Sequence, residues 1–222
     1  MRFVICLLSI LLFVFTAPAY AQNMDEGLYD PVPSPDSALV RIVNFSGTEQ
    51  TFTVDGKVLP SFKNETSSPY FVVPAGTAQE IKAPGDTGLT LSGSYKFEAG
   101  AYYTIAAMPG RLVLLGDMAR QNKEKAVIAL YNLSDVPSLC LATPGGKIKI
   151  IDQVTPETER VREINAMSLT MQLGDTCEST KPFELLADKN LSRAQIYSLF
   201  LFKDTAGAPR TLWVQNQIDT RF

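Results

Sequence analysis

The chain has 222 residues, with 20 Lys and Arg against 23 Asp and Glu, which gives a formal net charge of −3. A mildly acidic chain without a run of basic residues is poorly suited to the phosphate backbone, so we do not expect a nucleic-acid partner. Histidine is absent, which excludes Ser-His-Asp and Cys-His catalysis and removes the usual ligand of zinc. Since no calcium loop or phosphate-binding loop occurs either, we expect neither a metal nor a cofactor.

The N-terminus has the three parts of a secretory signal. Arg2 supplies a positive charge, residues 3–15 form an unbroken apolar stretch, and Ala19 and Ala21 place small residues in an A-x-A arrangement. The alternative is a retained membrane anchor, but a span needs about 20 apolar residues and this stretch is shorter. The sequence therefore predicts a signal peptide of residues 1–21, cleaved after Ala21, and export of the remaining chain.

Residues 22–37 form an acidic lead segment with prolines at alternate positions: Pro31, Pro33 and Pro35. Proline lacks the backbone N–H that a sheet ladder needs, and this spacing favours extended, polyproline-like chain. We predict an arm or linker here.

From Ala38 the chain consists of short β-type runs separated by turn residues. The clearest runs are residues 39–43, 51–54, 70–73, 88–91, 102–105 and 112–115. Asp55-Gly56 and Pro109-Gly110 lie between runs and are typical of turns. Many short strands at this spacing indicate a sandwich or barrel. The one helix-like stretch, residues 118–125, is hydrophilic and is predicted to be a linker.

The pattern then restarts. Residues 38–46 align with residues 126–134, 88 positions later, and both end in Asn-(Phe/Leu)-Ser, at Asn44 and Asn132. Residues 101–105 align with residues 195–199 at an offset of 94. Two matches in the same order indicate a duplicated unit, although strands share composition and chance similarity is the alternative. Asn at the end of such a run can close an Asx-type turn.

We therefore predict an all-β fold with two tandem antiparallel β-sandwich domains of similar size, over residues 38–117 and 126–222. The run at 39–43 is apolar on both of its faces, so its pattern does not decide which face points inward. Trp213, the only tryptophan, is assigned to core packing, with a partner surface as the alternative.

Cys6 lies in the predicted signal peptide, so two cysteines remain in the exported chain. Cys140 and Cys177 form an even pair in an exported chain, which favours a disulfide. Closing a loop of about 38 residues would contribute roughly 4 kcal/mol in the chain-entropy model. Two buried, unpaired thiols are the alternative.

The sequence offers little for catalysis. Gly-Asp-Thr at 85–87 and 174–176 is similar to the start of small esterases, but that chemistry uses a serine and an imidazole, so both copies are predicted to be turns. Glu157, Glu159 and Glu163 are dispersed along one polar stretch, where a solvated face is expected. We do not expect an enzyme.

Several short segments together resemble one known family. They are Leu28-Tyr29-Asp30-Pro31, Val40-Arg41-Ile42-Val43-Asn44, Tyr102-Tyr103-Thr104 with Pro109-Gly110, Asn132-Leu133-Ser134-Asp135, Arg162-Glu163-Ile164-Asn165 and Leu212-Trp213-Val214. In this order and spacing, across nearly the whole mature chain, they resemble the AlgF family of periplasmic accessory proteins of bacterial alginate O-acetylation.

The resemblance implies a non-catalytic protein of the periplasm. Its partners would be a membrane O-acyltransferase and periplasmic acetyltransferases that acetylate mannuronate residues, with the polysaccharide itself as a further candidate. The candidate partner-surface or structural positions are Arg41, Asn44, Arg162, Glu163, Asn165 and Trp213. The competing hypothesis is an exported two-domain β-sandwich of the binding or adhesion type, without a role in acetylation.

Overall fold

A computed structural model describes residues 34–84, 90–118 and 122–219. The predicted signal peptide, residues 22–33 of the lead segment, the Gly-Asp-Thr motif at 85–87 and residues 119–121 of the linker lie outside the described residues. Within the described ranges, none of the helical structure is long and apolar enough to cross a membrane.

Residues 34–118 are called the first half, and their described part contains the following strands. These are β1 (Ser37–Asn44), β2 (Gln50–Val54), β3 (Lys57–Phe62), β4 (Thr66–Ser67), β5 (Phe71–Pro74), β6 (Ala78–Pro84), β7 (Thr90–Lys96), β8 (Tyr102–Met108) and β9 (Arg111–Asp117). The predicted runs at 39–43, 51–54, 102–105 and 112–115 lie within β1, β2, β8 and β9. The predicted turns at Asp55-Gly56 and Pro109-Gly110 join neighbouring strands.

Residues 122–219 are called the second half and repeat this organisation. The strands are β10 (Lys125–Leu133), β11 (Leu139–Ala142), β12 (Lys149–Val154), β13 (Thr158–Asn165), β14 (Met167–Gly174), β15 (Glu184–Leu191), β16 (Ile196–Lys203) and β17 (Pro209–Gln215), with one short 3₁₀ helix at Pro144–Gly146. Residues 123–124 of the predicted linker form a turn, and β10 begins at Lys125.

Each half contains two sheets. In the first half, β4 and β5 pair with β1 in sheet A, whose order continues β1-β8-β9, and sheet B has the order β3-β2-β6-β7. In the second half, sheet C has the order β13-β10-β16-β17 and sheet D the order β12-β11-β14-β15. The all-β fold with two sandwiches is thus confirmed, while the exact domain boundaries stay a prediction.

One strand pair in each half departs from the predicted antiparallel arrangement. β1 runs parallel to β8, and β10 runs parallel to β16. A parallel pair needs a long connection, and here the chain forms all four strands of sheet B, or of sheet D, between the two parallel strands. The repetition of this pair in both halves is itself evidence of the duplication.

The four sheets stack as layers in the order B, A, C, D. One apolar cluster lies between B and A and includes Phe52, Ile81 and Ile105. Another lies between C and D and includes Leu141 and Leu199. A third lies between A and C, so the described residues form one compact unit.

The middle position of sheets A and C explains the composition of their strands. Every residue of β1 is buried, and so is every residue of β10 after Lys125. A strand covered on both faces is a nearly continuous apolar run instead of an alternating one. For this reason, the sequence pattern of residues 39–43 could not show which face of the strand points inward.

The aligned Asn-x-Ser segments have the same geometry in both halves. Asn44 Nδ2 donates to Thr48 O at 2.7 Å and Phe62 O at 3.0 Å, while its Oδ1 accepts from the backbone and hydroxyl of Ser46. The Asn132 side chain makes the matching four bonds. Its partners are Val136 O at 2.7 Å, Val154 O at 3.0 Å and the two groups of Ser134.

Cys140 and Cys177 form a disulfide in the structure, with their Cα atoms 5.0 Å apart. The bond ties the segment after β14 to the outer face of β11. In the same segment, Gly-Asp-Thr at 174–176 forms a bend at the end of β14. Gln172 supports it by donating to Cys177 O at 3.0 Å.

Candidate functional site

The junction is the surface where sheet A of the first half faces sheet C of the second. Its apolar part is a buried cluster from both sheets: Val43, Phe45, Ala106, Met108, Val113, Leu115, Ala129, Tyr131, Leu133, Phe200 and Phe202. The rings of Phe45 and Phe202 lie 4.1 Å apart between centroids. Tyr131 stacks on Phe200 at 4.4 Å. Buried aromatic side chains remove large apolar areas from water, so the halves are joined by a core rather than by a loose domain contact.

A buried arginine lies in the same junction. Arg41 is on β1, and only 1% of its surface is exposed. Its Nε donates to Thr104 Oγ1 at 2.7 Å, and its Nη1 donates to Asn216 Oδ1 at 2.7 Å. Its Nη2 donates to Tyr131 Oη at 3.1 Å and to Ser198 Oγ at 2.8 Å. Three of these four partners belong to the second half, so one side chain bridges the halves.

Asp117, at the end of β9, is the carboxylate of this network. Its Oδ2 accepts from the hydroxyls of Tyr70 and Thr104, and its Oδ1 accepts from Tyr131, each at 2.6 Å. Arg41 Nε lies 3.9 Å from Oδ2, and the Asp117 side chain is 4% exposed. A buried charge is tolerated when it is paired and hydrogen-bonded, and both charges here meet that condition.

Burial and neighbouring charges shift the pKa values of three residues of the network and of the nearby Glu159. Burial raises the pKa of Tyr70 and of Tyr131 well above its ordinary value, and the Asp117 carboxylate adds to this effect against the opposing influence of Arg41. Burial opposes the charge on Arg41, but the surrounding tyrosines and Asp117 raise its pKa. Burial and Asp117 also raise the pKa of Glu159. A lowered pKa is one way to activate a hydroxyl as a nucleophile, and the pKa values of Tyr70 and Tyr131 are shifted in the opposite direction.

Four residues of the network form two equivalent pairs. Thr104 on β8 and Ser198 on β16 hold the same position in their halves, 94 residues apart. Each donates to the side chain at the end of the neighbouring strand: Thr104 to Asp117 at 2.6 Å, and Ser198 to Asn216 at 2.9 Å. The network is therefore made from the same local arrangement, used once by each half.

Arg41 occupies a position at which the two halves differ. Its equivalent in the strand registers is Ala129, 88 residues later. The guanidinium carbon of Arg41 lies 4.9 Å from the ring centroid of Tyr70 and 5.2 Å from that of Phe200. Aromatic faces attract a cation, more strongly when it is desolvated, so these rings from both halves complete the enclosure of the charge.

Two ion pairs cross the junction, and in each of them an arginine of one half pairs with a glutamate of the other half. Arg111, at the start of β9, pairs with Glu157 of the second half. Arg210, close to the start of β17, pairs with Glu65 of the first half at 3.3 Å. Glu65 and Glu157 also share a left-handed backbone, with φ of 58° and 57°. The halves thus face each other through an approximate two-fold relationship, as in an isologous dimer.

A surface groove of about 570 Å³ lies beside the Arg111–Glu157 pair. It is lined by Met108, Pro109, Arg111, Leu133, Ser134, Asp135, Pro156, Glu157, Lys203, Asp204, Thr205 and Gly207. Lys203 and Asp135 form a second ion pair on its wall at 2.6 Å. Residues of both halves line the groove, so a molecule bound there would contact both.

The structure separates the six candidate positions predicted from the sequence. Arg41 is in the junction network, and Asn44 closes its turn. Arg162, Glu163 and Asn165 are exposed on the edge strand β13, where Asn165 accepts from the ammonium group of Lys125.

Trp213, the sixth position, is half-buried on the edge strand β17 and packs against the core between sheets C and D. It stacks on Tyr197 with centroids 5.4 Å apart. Lys189 Nζ lies 5.7 Å from its ring. Both alternatives for this residue, core packing and a partner surface, are compatible with this partial burial.

Sequence reasoning did not identify most of the network: Tyr70, Thr104, Asp117, Tyr131, Ser198 and Asn216. One signal was available for two of them. Thr104 and Ser198 are hydroxyl residues at matching positions of the aligned repeats, inside otherwise apolar strands. A polar residue retained twice in a buried strand needs a hydrogen-bond partner.

Within residues 34–84, 90–118 and 122–219, no group of three or more Cys, Asp or Glu side chains is arranged to hold a metal ion. The charged groups of the junction are instead satisfied by one another, as the distances above indicate.

Comparison with known proteins agrees with the resemblance found in the sequence. The family model described as "Alginate O-acetyl transferase AlgF" matches residues 10–197. The alginate biosynthesis protein AlgF of Pseudomonas aeruginosa is 30% identical over 204 residues, which cover 90% of this chain and 88% of that protein. The protein of the same name from Azotobacter vinelandii is 29% identical over 192 residues, covering 86% and 83% of the two chains.

Among solved structures, the C-terminal domain of AlgF from P. aeruginosa aligns with 28% identity and a TM-score of 0.36, covering 42% of this chain and 99% of that one. The family model spans most of the chain, and the P. aeruginosa relative matches along nearly its whole length. The chain therefore belongs to the AlgF family.

Proposed function

We propose that this protein is a non-catalytic accessory protein of alginate O-acetylation. It would act beside a membrane O-acyltransferase and periplasmic acetyltransferases, which transfer acetyl groups to mannuronate residues, while this protein supplies binding surfaces. The names of its relatives refer to alginate biosynthesis and to O-acetyl transfer, and they support this process as its setting.

The main observation that supports a non-catalytic role is the burial and hydrogen bonding of the polar groups in the junction network. Its hydroxyls and its carboxylate are enclosed between the halves, where they bond to one another or to Arg41. An acyl-transfer site needs a nucleophile and a base that substrate can reach. Because the chain also contains no histidine, acyl transfer is better assigned to partner enzymes.

We place the protein in the periplasm. The N-terminal sequence has the form of an export signal, and a disulfide such as Cys140–Cys177 is characteristic of proteins in oxidising compartments. The surfaces offered to partners are the edge strands β13 and β17, which carry four of the six candidate positions, and the groove beside Arg111 and Glu157.

Deleting the gene tests the proposal. We expect polymer to be made with its acetyl content strongly reduced, and restored by the intact gene. The tagged protein should co-purify with acetylation enzymes from cross-linked cells. Normal acetyl content at normal polymer yield would contradict the proposal.

A second measurement separates an accessory role from an enzymatic one. The purified protein should not release acetate from acetylated mannuronate or from a simple acetyl ester above the rate of a buffer blank. Turnover that one point substitution abolishes would assign catalysis to this chain instead.

A further inference from the structure

Arg41 touches both members of each equivalent pair in the junction. Its guanidinium donates to Thr104 and to Ser198, at 2.7 and 2.8 Å. It also donates to Asn216 at 2.7 Å and lies 3.9 Å from Asp117. A group that contacts both copies of two repeated positions lies where the approximate two-fold axis crosses the junction.

We infer that this axis holds a single site for one arginine, and that Arg41 thereby makes the junction specific for one first half paired with one second half. The binding surface of the first half is the face of sheet A that carries Arg41, and its partner is the face of sheet C that carries Ala129. The two halves stay bound to each other when the covalent connection between them is cut.

A pair of two first halves, or of two second halves, does not place one arginine in the site. Two first halves would bring two Arg41 side chains into the one space on the axis, where both cannot fit and their charges repel. Two second halves would place Ala129 on both sides. The volume now filled by a guanidinium would then be a cavity lined by polar groups without their cation, which is destabilising.

The remaining contacts between the two halves explain why they stay bound without the covalent connection. The apolar cluster around Phe45 and Phe202 is shared by both halves. In addition, the segment after β17 returns to the first half. There Tyr70 N donates to Gln217 O at 2.7 Å, and Asp219 N donates to Tyr70 O at 2.8 Å.

The test uses the full chain with a protease site inserted between Met118 and Asn122. After cleavage, size-exclusion chromatography and native mass spectrometry at about 1 μM protein should find one complex of a first half with a second half. Neither like pair should form. Separation of the halves at this concentration, or formation of like pairs in comparable amounts, would overturn the inference.

A set of three variants tests the axis site itself. Arg41→Ala and Ala129→Arg should each weaken binding between the cut halves about 100-fold or more, because one empties the site and the other overfills it. The double variant moves the arginine to the other half and again provides one cation. It should bind at least about tenfold more tightly than Arg41→Ala alone, since the two positions are coupled. A double variant no tighter than Arg41→Ala would overturn the assignment.

Arg111→Ala is the matched control. It removes an arginine that also crosses the junction but lies half-exposed in an ion pair, so binding should change less than about fivefold. Near-UV circular dichroism of each uncut variant checks that the halves are folded. If Arg41→Ala unfolds the first half, Ala129→Arg still tests the site, because it leaves the first half unchanged.

Discussion

Asp117 at the end of β9 and Asn216 directly after β17 occupy equivalent positions in the two halves, yet one is a carboxylate and the other an amide. Each accepts a hydroxyl hydrogen bond from its own half, at 2.6 Å for Thr104 and 2.9 Å for Ser198. Both approach the single guanidinium of Arg41. One carboxylate and one amide together match one cation, whereas two carboxylates would leave a negative charge buried. Because only one of the two equivalent positions is a carboxylate, its negative charge balances the positive charge of Arg41 in the junction.

We predict that Asp117→Asn lowers the free energy of unfolding by about 3–5 kcal/mol, because it leaves the charge of Arg41 buried without a counterion. Urea unfolding followed by circular dichroism measures the change. Glu157→Gln is the control, since its ion pair with Arg111 is half-exposed and its loss should change stability by less than about 1 kcal/mol. Equal effects of the two substitutions would show that the buried pair is not special.

We predict that Asn44→Ala and Asn132→Ala have similar effects, each lowering the free energy of unfolding by about 2–4 kcal/mol. Each substitution removes four hydrogen bonds and leaves buried backbone groups without partners. Asn165→Ala, on an exposed edge strand, should change stability by less than about 0.5 kcal/mol. If only one of the buried asparagines proves sensitive, the two turns are not energetically equivalent.

Replacing both cysteines by serine should lower the free energy of unfolding by about 2–4 kcal/mol, since the Cys140–Cys177 bond closes a long loop in the unfolded chain. Reduction of the wild-type protein should reproduce the loss. Hydrogen exchange should locate the change in the second half, around the segment after β14, and leave the first half as it was. Unchanged stability in both experiments would contradict a stabilising role.

Stability should fall at alkaline pH. Tyr70 and Tyr131 have raised pKa values in the folded protein, so above about pH 10 the unfolded chain loses protons that the folded chain retains. The stabilisation is therefore complete below pH 10. Above it, the free energy of unfolding should decrease by about 1.4 kcal/mol per pH unit for each tyrosine.

Urea unfolding between pH 8 and 11 measures this slope, and the absorbance of tyrosinate at 295 nm reports ionisation. Tyr70→Phe should reduce the slope by the contribution of one tyrosine. A wild-type slope no steeper than that of the variant would mean that Tyr70 ionises freely in the folded state.

Local signals were sufficient for much of the fold. Asp55-Gly56 and Pro109-Gly110 marked turns because few residues adopt the backbone that such turns require. The matched segments ending at Asn44 and Asn132 marked the duplication, because each side chain bonds within its own turn. The candidate site was predicted less well. Arg41 and Asn44 were identified as candidates, but Tyr70 and Asp117 were not, because no neighbour in sequence indicates their partners.

The sequence by itself determined the clearest strands, the repeat, the cysteine pair and the resemblance to AlgF, since each depends on residues close together or on their order along the chain. Only the tertiary structure decided that sheets A and C lie in the middle and that Arg41 faces the junction. Its hydrogen-bond partners are 63 to 175 residues away in sequence, and a strand covered on both faces carries no alternation to show which face meets which sheet. The role of Arg41 therefore follows from how two folded halves pack together.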